Sequence, residues 1–123
     1  KTVGDRLVYI GGVPTAEIFA EAYVSIGVNT YSSAVFNFVP EMAVTFYKEL
    51  RKGNKDVVKQ ITNDFFIPFV DLRDRKAGYA VSLIKAGAAI VGRPAGNVRA
   101  PLVMPTNEEC LLLEALIKVA KKY

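Results

Sequence analysis

The sequence predicts an α/β fold in which two parallel strands, each followed by a helix, precede a region that is entirely helical. Residues 6–12 and 29–36 are short runs rich in β-branched and aromatic side chains, and each leads into a segment with helical spacing. A single helix between the two runs returns the chain to the same end of the sheet, so the strands should be parallel. From Asn54 onward only helical periodicity is present.

The first strand is predicted in "RLVYIGG", as a buried run that ends in a sharp turn at two glycines. The next helix is predicted to open at Pro14 and to end at Gly27, because proline suits the first helical turn and glycine the position after the last. Its predicted stripe consists of Ile18, Ala22 and Ile26, with Phe19 and Tyr23 beside it.

The second strand, predicted in "NTYSSAVF", leads to a helix that begins at Pro40 and ends at Gly53. One face of that helix carries Met42, Phe46 and Leu50. Two parallel strands do not form a stable sheet by themselves, so the sequence predicts that further strands come from outside this chain. The start at Lys1 rather than at a methionine agrees with a piece of a larger domain.

The helical region is predicted to open with a helix that Asp56 caps. This helix carries Val57, Ile61 and Phe65 at four-residue spacing. Pro68 should kink or break it, because proline has no N–H to donate and its ring clashes with the preceding turn.

Two further helices are predicted after this point. One begins after Gly78 and stops near Gly92, and residues 93–105 form a loop because they are rich in proline and glycine. The last begins at a capping box formed by Thr106 and Glu109. Its predicted buried face consists of Leu113, Leu116, Ile117 and Ala120.

Composition excludes several kinds of chemistry. The chain has 123 residues, of which 51% are hydrophobic and none is histidine. Without histidine, neither a Ser-His-Asp triad nor a Cys-His pair nor the common nitrogen-ligated zinc sites can form. A single cysteine excludes an internal disulfide. Chemistry in this chain would depend on lysine, tyrosine, serine or carboxylates.

Charge and hydropathy limit the partners. The net charge of +4 is dispersed, with no basic stripe or nucleic-acid-binding module, so we expect no nucleic-acid partner. The charge suits a small anionic ligand, although solvated charged faces explain it equally well. No apolar run approaches the roughly 20 residues of a membrane span, and no signal peptide is recognisable, so we expect a cytoplasmic protein without a membrane partner.

Candidate ligand contacts lie where the two predicted strands end. In parallel α/β folds, ligands bind at the carboxyl ends of strands. The residues at these ends are Gly11 and Gly12 after the first strand, and Ser32, Ser33 and Asn37 near the end of the second. Glycine lets a ligand approach the main chain, and serine or asparagine offers short hydrogen bonds. A purely structural alternative stays open, in which the glycines only turn the chain and the polar side chains bond to nearby backbone.

Two side chains of the helical region also carry reactive groups. The phenol of Tyr79 could anchor a carboxylate, with Arg73 and Arg75 nearby, although packing is its commoner role. Lys85 resembles a desolvated amine of the kind that forms Schiff bases, but a helical lysine usually reaches water along its flexible stem.

Several stretches resemble a known family more closely than any pattern requires. They are "YIGGVPTAEIFAEAYVSIGVNTYSSAVFNFVP", "FYKELRKGN", "DFFIPFVDLRDRKAGYAVSLIKAGAAIVGRPAG" and "VRAPL". Together they resemble the C-terminal portion of the 5-dehydro-4-deoxyglucarate dehydratases, within the dihydrodipicolinate synthase and N-acetylneuraminate lyase superfamily. The resemblance extends from Asp5 to the last helix.

The resemblance implies a (β/α)₈ TIM barrel with extra C-terminal helices. Residues 1–53 would be the last two βα units of the barrel, and residues 54–123 a helical extension packing on it. This implication accounts for the missing sheet partners. We also expect the protein to assemble as a homo-oligomer, a tetramer or a dimer, through the barrel and the C-terminal helices.

The resemblance also implies a reaction. It is the dehydration and decarboxylation of 5-dehydro-4-deoxy-D-glucarate, a small anionic keto acid, to 2,5-dioxopentanoate, CO₂ and water. A barrel lysine forms a Schiff base with the substrate, without a metal or an organic cofactor. That lysine would precede Lys1, so this chain would contain no catalytic residue and would be inactive alone.

By the same resemblance, the substrate-binding residues would come from both strand ends and from the extension. Gly11 and Gly12 would border the substrate, Ser32 and Ser33 would lie beside the imine, and Asn37 would hold the loop. Tyr79 would be the contribution of the extension.

The sequence leaves two alternatives open. A related aldolase or synthase acting on a 2-keto acid would keep the barrel and change the reaction. A non-enzymatic helical interaction module would instead expose "LLLEALI" and "FFIPF", and would leave the two strands unpaired or absent.

Overall fold

The computed structural model describes Gly4 and residues 6–123. In this part of the chain, two short strands precede and alternate with two helices, and four more helices follow. The elements are β1 (Ile10–Gly11), α1 (Ala20–Ser25), β2 (Thr30–Tyr31), α2 (Pro40–Lys52), α3 (Lys55–Ile61), α4 (Ile67–Arg73), α5 (Tyr79–Ile90) and α6 (Asn107–Ala120). Short 3₁₀ turns cover Ala16–Phe19 and Val35–Asn37, and a π-helical turn covers Thr62–Phe66.

The two strands are parallel, as predicted. Ile10 lies opposite Thr30, and the Ser32 N–H continues the ladder by donating to the Gly11 carbonyl at 2.8 Å. The prediction that the first strand is buried is wrong for this chain, because Val8 is 89% and Ile10 62% exposed. Among the described residues β1 pairs only with β2, so nothing covers its other edge.

The predicted face of the first helix is also wrong. Ile26 lies beyond the end of α1 and is 72% exposed, whereas Ala16, Glu17 and Ala20 are buried. The cause is the 3₁₀ turn before α1, since three residues per turn instead of 3.6 rotate the inward face away from the predicted stripe. Gly27 follows the helix with a φ of 85°, as a residue after a helix end should.

The second βα unit follows the prediction more closely. The predicted strand shortens to Thr30–Tyr31, because the chain turns into a 3₁₀ turn at Val35. Helix α2 begins at Pro40 as expected, and Gly53 ends it in the left-handed conformation. Its predicted stripe is the buried one and consists of Met42, Phe46 and Leu50.

Helix α3 begins two residues earlier than predicted, because Asn54 and not Asp56 is the residue before its first turn. Only Asn54 separates it from Gly53, so α3 starts at Lys55 and Asp56 lies in its first turn instead of capping it. Pro68 interrupts the helix without ending it. The hydrogen-bond pattern becomes π-helical over Thr62–Phe66 and returns to α-helical at Ile67, which places the proline in a first turn where no N–H is needed.

The core is built from phenylalanines on both sides of position 53. Phe38 contacts Phe65 and Phe69 at centroid distances of 6.5 and 6.0 Å, and Phe46 contacts Phe66 at 4.9 Å. Most of the "FFIPF" stretch is therefore core and not the exposed surface that an interaction module would need. The division into 1–53 and 54–123 stays a prediction, but the two parts share this core.

The last two helices begin where predicted. Tyr79 opens α5 directly after Gly78, whose φ is 89°. Thr106 Oγ1 accepts from the Glu109 N–H at 3.3 Å, and Glu109 Oε2 accepts from the Thr106 N–H at 2.9 Å, which completes the capping box of α6. The buried face of α6 contains Leu113, Ile117 and Ala120, with Leu116 partly buried. Within the described ranges, no helix is both long and apolar enough to cross a bilayer.

Candidate functional site

The parallel pairing brings four of the predicted site residues to one edge of the sheet. Gly11 ends β1 and Gly12 follows it, while Ser32 and Ser33 follow β2 directly. The hydrogen bond from the Ser32 N–H to the Gly11 carbonyl holds the two strand ends side by side. A ligand at this edge would meet backbone and hydroxyl groups from both strands.

Packing explains only one of the two glycines at the end of β1. A Cβ on Gly11 would come within 2.5 Å of the Tyr23 ring, so packing of α1 against β1 already requires glycine there. A Cβ on Gly12 would meet no atom within 4 Å in the described structure, and Gly12 is exposed. Packing therefore accounts for Gly11 and leaves the glycine at position 12 unexplained.

Ser33 has a buried carboxyl group as its partner. Its Oγ donates to Glu17 Oε1 at 2.5 Å, and Glu17 is only 2% exposed. Burial raises the pKa of Glu17, and the hydrogen bond from Ser33 opposes only part of this effect. Within the described part of the chain, Glu17 Oε2 is buried and has no hydrogen-bond partner. Such an oxygen is costly to keep, so this carboxyl group needs an explanation.

The turn that carries Glu17 is held in an unusual conformation. Thr15 is 3% exposed and has φ 53° and ψ 54°, a left-handed conformation that costs free energy in a β-branched residue. Arg73 from α4 donates through Nη1 to the Pro14 carbonyl at 2.9 Å and to Thr15 Oγ1 at 3.0 Å. These bonds engage the guanidinium predicted to bind anions beside Tyr79, and they fix the turn just before Glu17.

Tyr31 lies next to the same carboxyl group. Burial raises the pKa of the Tyr31 phenol, and the nearby charge of Glu17 raises it further. The ring packs edge-on against Tyr47 of α2, with centroids 5.9 Å apart. An open groove of about 460 Å³ runs between β2 and α2, lined by Thr30, Tyr31, Ser33, Phe36, Ala43, Val44, Tyr47 and Lys48. In this chain, Ser33 thus lies between a buried carboxyl group and the groove.

The other predicted contacts have partners elsewhere. The Asn37 amide donates to the Ala34 carbonyl at 2.9 Å, which is the local bond of the structural alternative. Tyr79 is buried, and its hydroxyl donates to Glu109 Oε2 at 2.7 Å, so it supports the capping box of α6. Their roles in substrate binding stay predictions. Lys85 Nζ donates to the Ala95 carbonyl at 2.8 Å.

Sequence reasoning did not single out Glu17 as a candidate site residue. The periodicity placed Ile18 on the inward face, and a glutamate beside it would be expected in solvent. The one available signal was position, since Glu17 follows a strand end closely and lies in the segment where barrels collect their functional groups. Among the described residues, no three cysteine or acidic side chains cluster closely enough to hold a metal ion.

Comparisons with known proteins place the chain among named relatives. The chain is 56% identical over 121 residues to a protein of Allorhizobium ampelinum named "Probable 5-dehydro-4-deoxyglucarate dehydratase", and 55% identical over 121 residues to one of Xanthobacter autotrophicus with the same name. Each match covers 98% of this chain and 40% of the relative, so the chain spans about two fifths of the length of these curated relatives.

A solved structure shows the same fold. The crystal structure of dihydrodipicolinate synthase from Oceanobacillus iheyensis superimposes with a TM-score of 0.78 at 28% identity, covering 94% of this chain and 38% of that one. This confirms the predicted fold class, the C-terminal part of a (β/α)₈ barrel followed by helices. The profile of the dihydrodipicolinate synthetase family matches residues 1–120. The chain therefore belongs to the dihydrodipicolinate synthetase family.

Proposed function

We propose that the longer protein containing this chain is a lyase that converts 5-dehydro-4-deoxy-D-glucarate to 2,5-dioxopentanoate, CO₂ and water. The observation that carries the proposal is the gap in similarity. Identity is 56% to a relative named as this dehydratase and 28% to the solved dihydrodipicolinate synthase from Oceanobacillus iheyensis. The strand-end hydroxyls and backbone groups described above are consistent with a small hydroxylated keto acid as substrate.

In this proposal the chain supplies part of the substrate pocket and not the nucleophile. Gly11, Gly12, Ser32 and Ser33 would contact the substrate at the strand ends. The amine that forms the Schiff base would come from the part of the protein outside this chain. Lys85 is a poor candidate, because its ammonium group is bonded to loop carbonyls at Ala95 and Gly96.

The test of the reaction compares two products from the full-length protein. With 5-dehydro-4-deoxyglucarate as substrate, we expect CO₂ release and no pyruvate. Pyruvate release instead would indicate a retro-aldol cleavage, as expected if the protein is a related aldolase with the same fold. If neither product forms, the proposed reaction is wrong.

The location of the nucleophile has a separate test. Borohydride reduction in the presence of the keto acid should attach substrate to one lysine outside residues 1–123, identified by peptide mass spectrometry. The Lys85→Arg variant should give the same adduct in the same yield. An adduct on Lys85 would contradict the assignment.

The remaining expectations belong to the whole protein. A small anionic keto acid as substrate, assembly into dimers or tetramers and a cytoplasmic location are part of this proposal. The alternative of a helical interaction module expected unpaired strands, and the pairing of β1 with β2 counts against it.

A further inference from the structure

The Glu17 carboxyl group is the feature that the proposed function leaves unused. It is 2% exposed, its Oε1 accepts a hydrogen bond from Ser33, and its Oε2 has no partner among the described residues. A buried carboxyl group with one orphan oxygen is costly to keep in its ionised form, and an apolar side chain of similar volume would cost less to bury. Its position beside a strand-end hydroxyl indicates a role in the site.

The polarity of this contact restricts what Ser33 can do. A serine hydroxyl has one proton to donate and two lone pairs to accept with. Because Ser33 directs its proton to Glu17 Oε1, only the lone pairs remain for any other partner. Ser33 therefore presents an acceptor, and not a donor, toward the groove that it lines.

We propose that Glu17 is a positioning residue that fixes Ser33 as a hydrogen-bond acceptor for a hydroxyl group of the substrate. The inference rests on the proposed function, whose substrate carries hydroxyl groups as well as a keto group. Glu17 acts through Ser33 and makes no contact of its own with the substrate. The pair would favour hydroxylated keto acids over unsubstituted ones such as pyruvate.

The surroundings of Glu17 support a fixed geometry. Thr15, two residues earlier, is buried in a left-handed conformation and is held by Arg73. The Tyr31 ring, partly buried beside Glu17, packs against Tyr47. The turn before Glu17 is thus fixed, which limits the positions of its carboxyl group and lets it hold the Ser33 hydroxyl in one orientation.

The main test uses the full-length protein with Glu17→Met, which keeps the volume but removes the acceptor. We expect KM for 5-dehydro-4-deoxyglucarate to rise about tenfold with a smaller change in kcat, because the lost hydrogen bond is already made in the bound ground state. Glu17→Gln retains an acceptor oxygen and should keep KM within about threefold of wild type. Glu21→Met is the matched control, since Glu21 is an exposed glutamate one turn later, and it should leave both constants unchanged.

A second variant separates positioning from a structural role. Ser33→Ala should raise KM as much as Glu17→Met does, and the double variant should be no worse than Ser33→Ala alone, because the two residues act as one unit. Both Glu17 variants should unfold at or above the wild-type temperature. Additive effects on KM, or a fall in the unfolding temperature that accounts for the loss of activity, would overturn the inference.

Pyruvate provides the comparison without a hydroxyl group. The pyruvate concentration that half-saturates borohydride trapping should change less than about twofold in every variant. An equal loss for pyruvate would contradict a role in hydroxyl recognition. A wild-type protein that releases no CO₂ overturns the proposed function and, with it, the substrate named here. An active wild type that Glu17→Met leaves unaffected overturns this inference alone.

Discussion

The buried carboxyl group of Glu17 should make stability depend on pH in the direction opposite to a salt-bridged acid. Burial raises its pKa above the ordinary value of 4.5, so the unfolded state loses the proton at lower pH than the folded state does. Its contribution to stability is therefore present below the unfolded pKa and is lost as pH rises through the folded pKa. The free energy of unfolding of Glu17→Gln, measured with urea, should equal that of wild type near about pH 4 and exceed it near about pH 8. A difference in free energy of unfolding between Glu17→Gln and wild type that shrinks as pH rises would contradict this prediction.

The Tyr79 hydroxyl should have the opposite pH signature. Its hydrogen bond to Glu109, followed by that of the Thr106 N–H, holds the pKa of Glu109 below its usual value. This contribution is present above the unfolded pKa and is lost as pH falls through the folded one. Tyr79→Phe should lower the free energy of unfolding by about 1 kcal/mol at neutral pH and by less in acid.

The control for this prediction is another tyrosine with a partner that does not titrate. The Tyr47 hydroxyl donates to the Asn29 carbonyl at 3.1 Å. The cost of Tyr47→Phe should therefore stay constant between neutral and acid pH. If the loss in free energy of unfolding caused by Tyr79→Phe is also the same at neutral and acid pH, its hydrogen bond to the Glu109 carboxylate is not the cause of that loss.

At the scale of elements, α5 packs so closely against Phe38 that there is no room for a side chain at the point of contact. Gly87 lies in the second half of α5, and a Cβ there would come within 2.7 to 3.0 Å of three ring carbons of Phe38. Gly87→Ala should destabilise the protein by about 1–3 kcal/mol through overpacking, although alanine is the better helix former by about 1 kcal/mol. Thermal unfolding of Gly87→Ala, of Phe38→Leu and of the double variant measures this. The double variant should be more stable than the sum of the single effects predicts, and strict additivity would contradict the contact.

Helices with their own start and stop signals were predictable from the sequence. Pro40 and Gly53 bound α2, and the capping box starts α6, because these signals act within a few residues. The inward face of α1 was not predictable, since it depends on a 3₁₀ turn and on a left-handed threonine that Arg73 holds from a distant helix. Tertiary contacts of this kind leave no periodicity in the sequence.

The candidate site divides in the same way. Its strand-end residues followed from the order of elements, because parallel strands bring their carboxyl ends together. Ser33 was therefore predictable, but its partner Glu17 was not, because the contact joins residues 16 positions apart through the packing of a turn. The extent of β1 also depends on neighbours outside this chain.

At the scale of the whole molecule, β1 presents an edge that pairs with no strand among the described residues and is bordered by apolar side chains. Val8 and Ile10 are 89% and 62% exposed in this chain. An unpaired edge of this kind promotes association, so residues 1–123 expressed alone should self-associate. Ile10→Lys should shift them toward monomer in light scattering after gel filtration.

The same Ile10→Lys substitution should be damaging in the full-length protein. There, further barrel strands would cover Ile10, and a buried unpaired lysine would destabilise the fold by several kcal/mol. Leu111→Lys tests whether any exposed apolar side chain would suffice, since Leu111 is 66% exposed on α6. If Leu111→Lys disperses the isolated chain and Ile10→Lys does not, association does not occur through the strand edge.

The phenylalanine contacts across position 53 bear on how this chain can be used in protein engineering. Phe38 and Phe46 meet Phe65, Phe66 and Phe69 face to edge or at a tilt, so neither segment encloses its own interior. If the protein were divided at Gly53, each of the two fragments would therefore expose aromatic rings that are buried in the intact chain. An exchange with another barrel should therefore move both segments together.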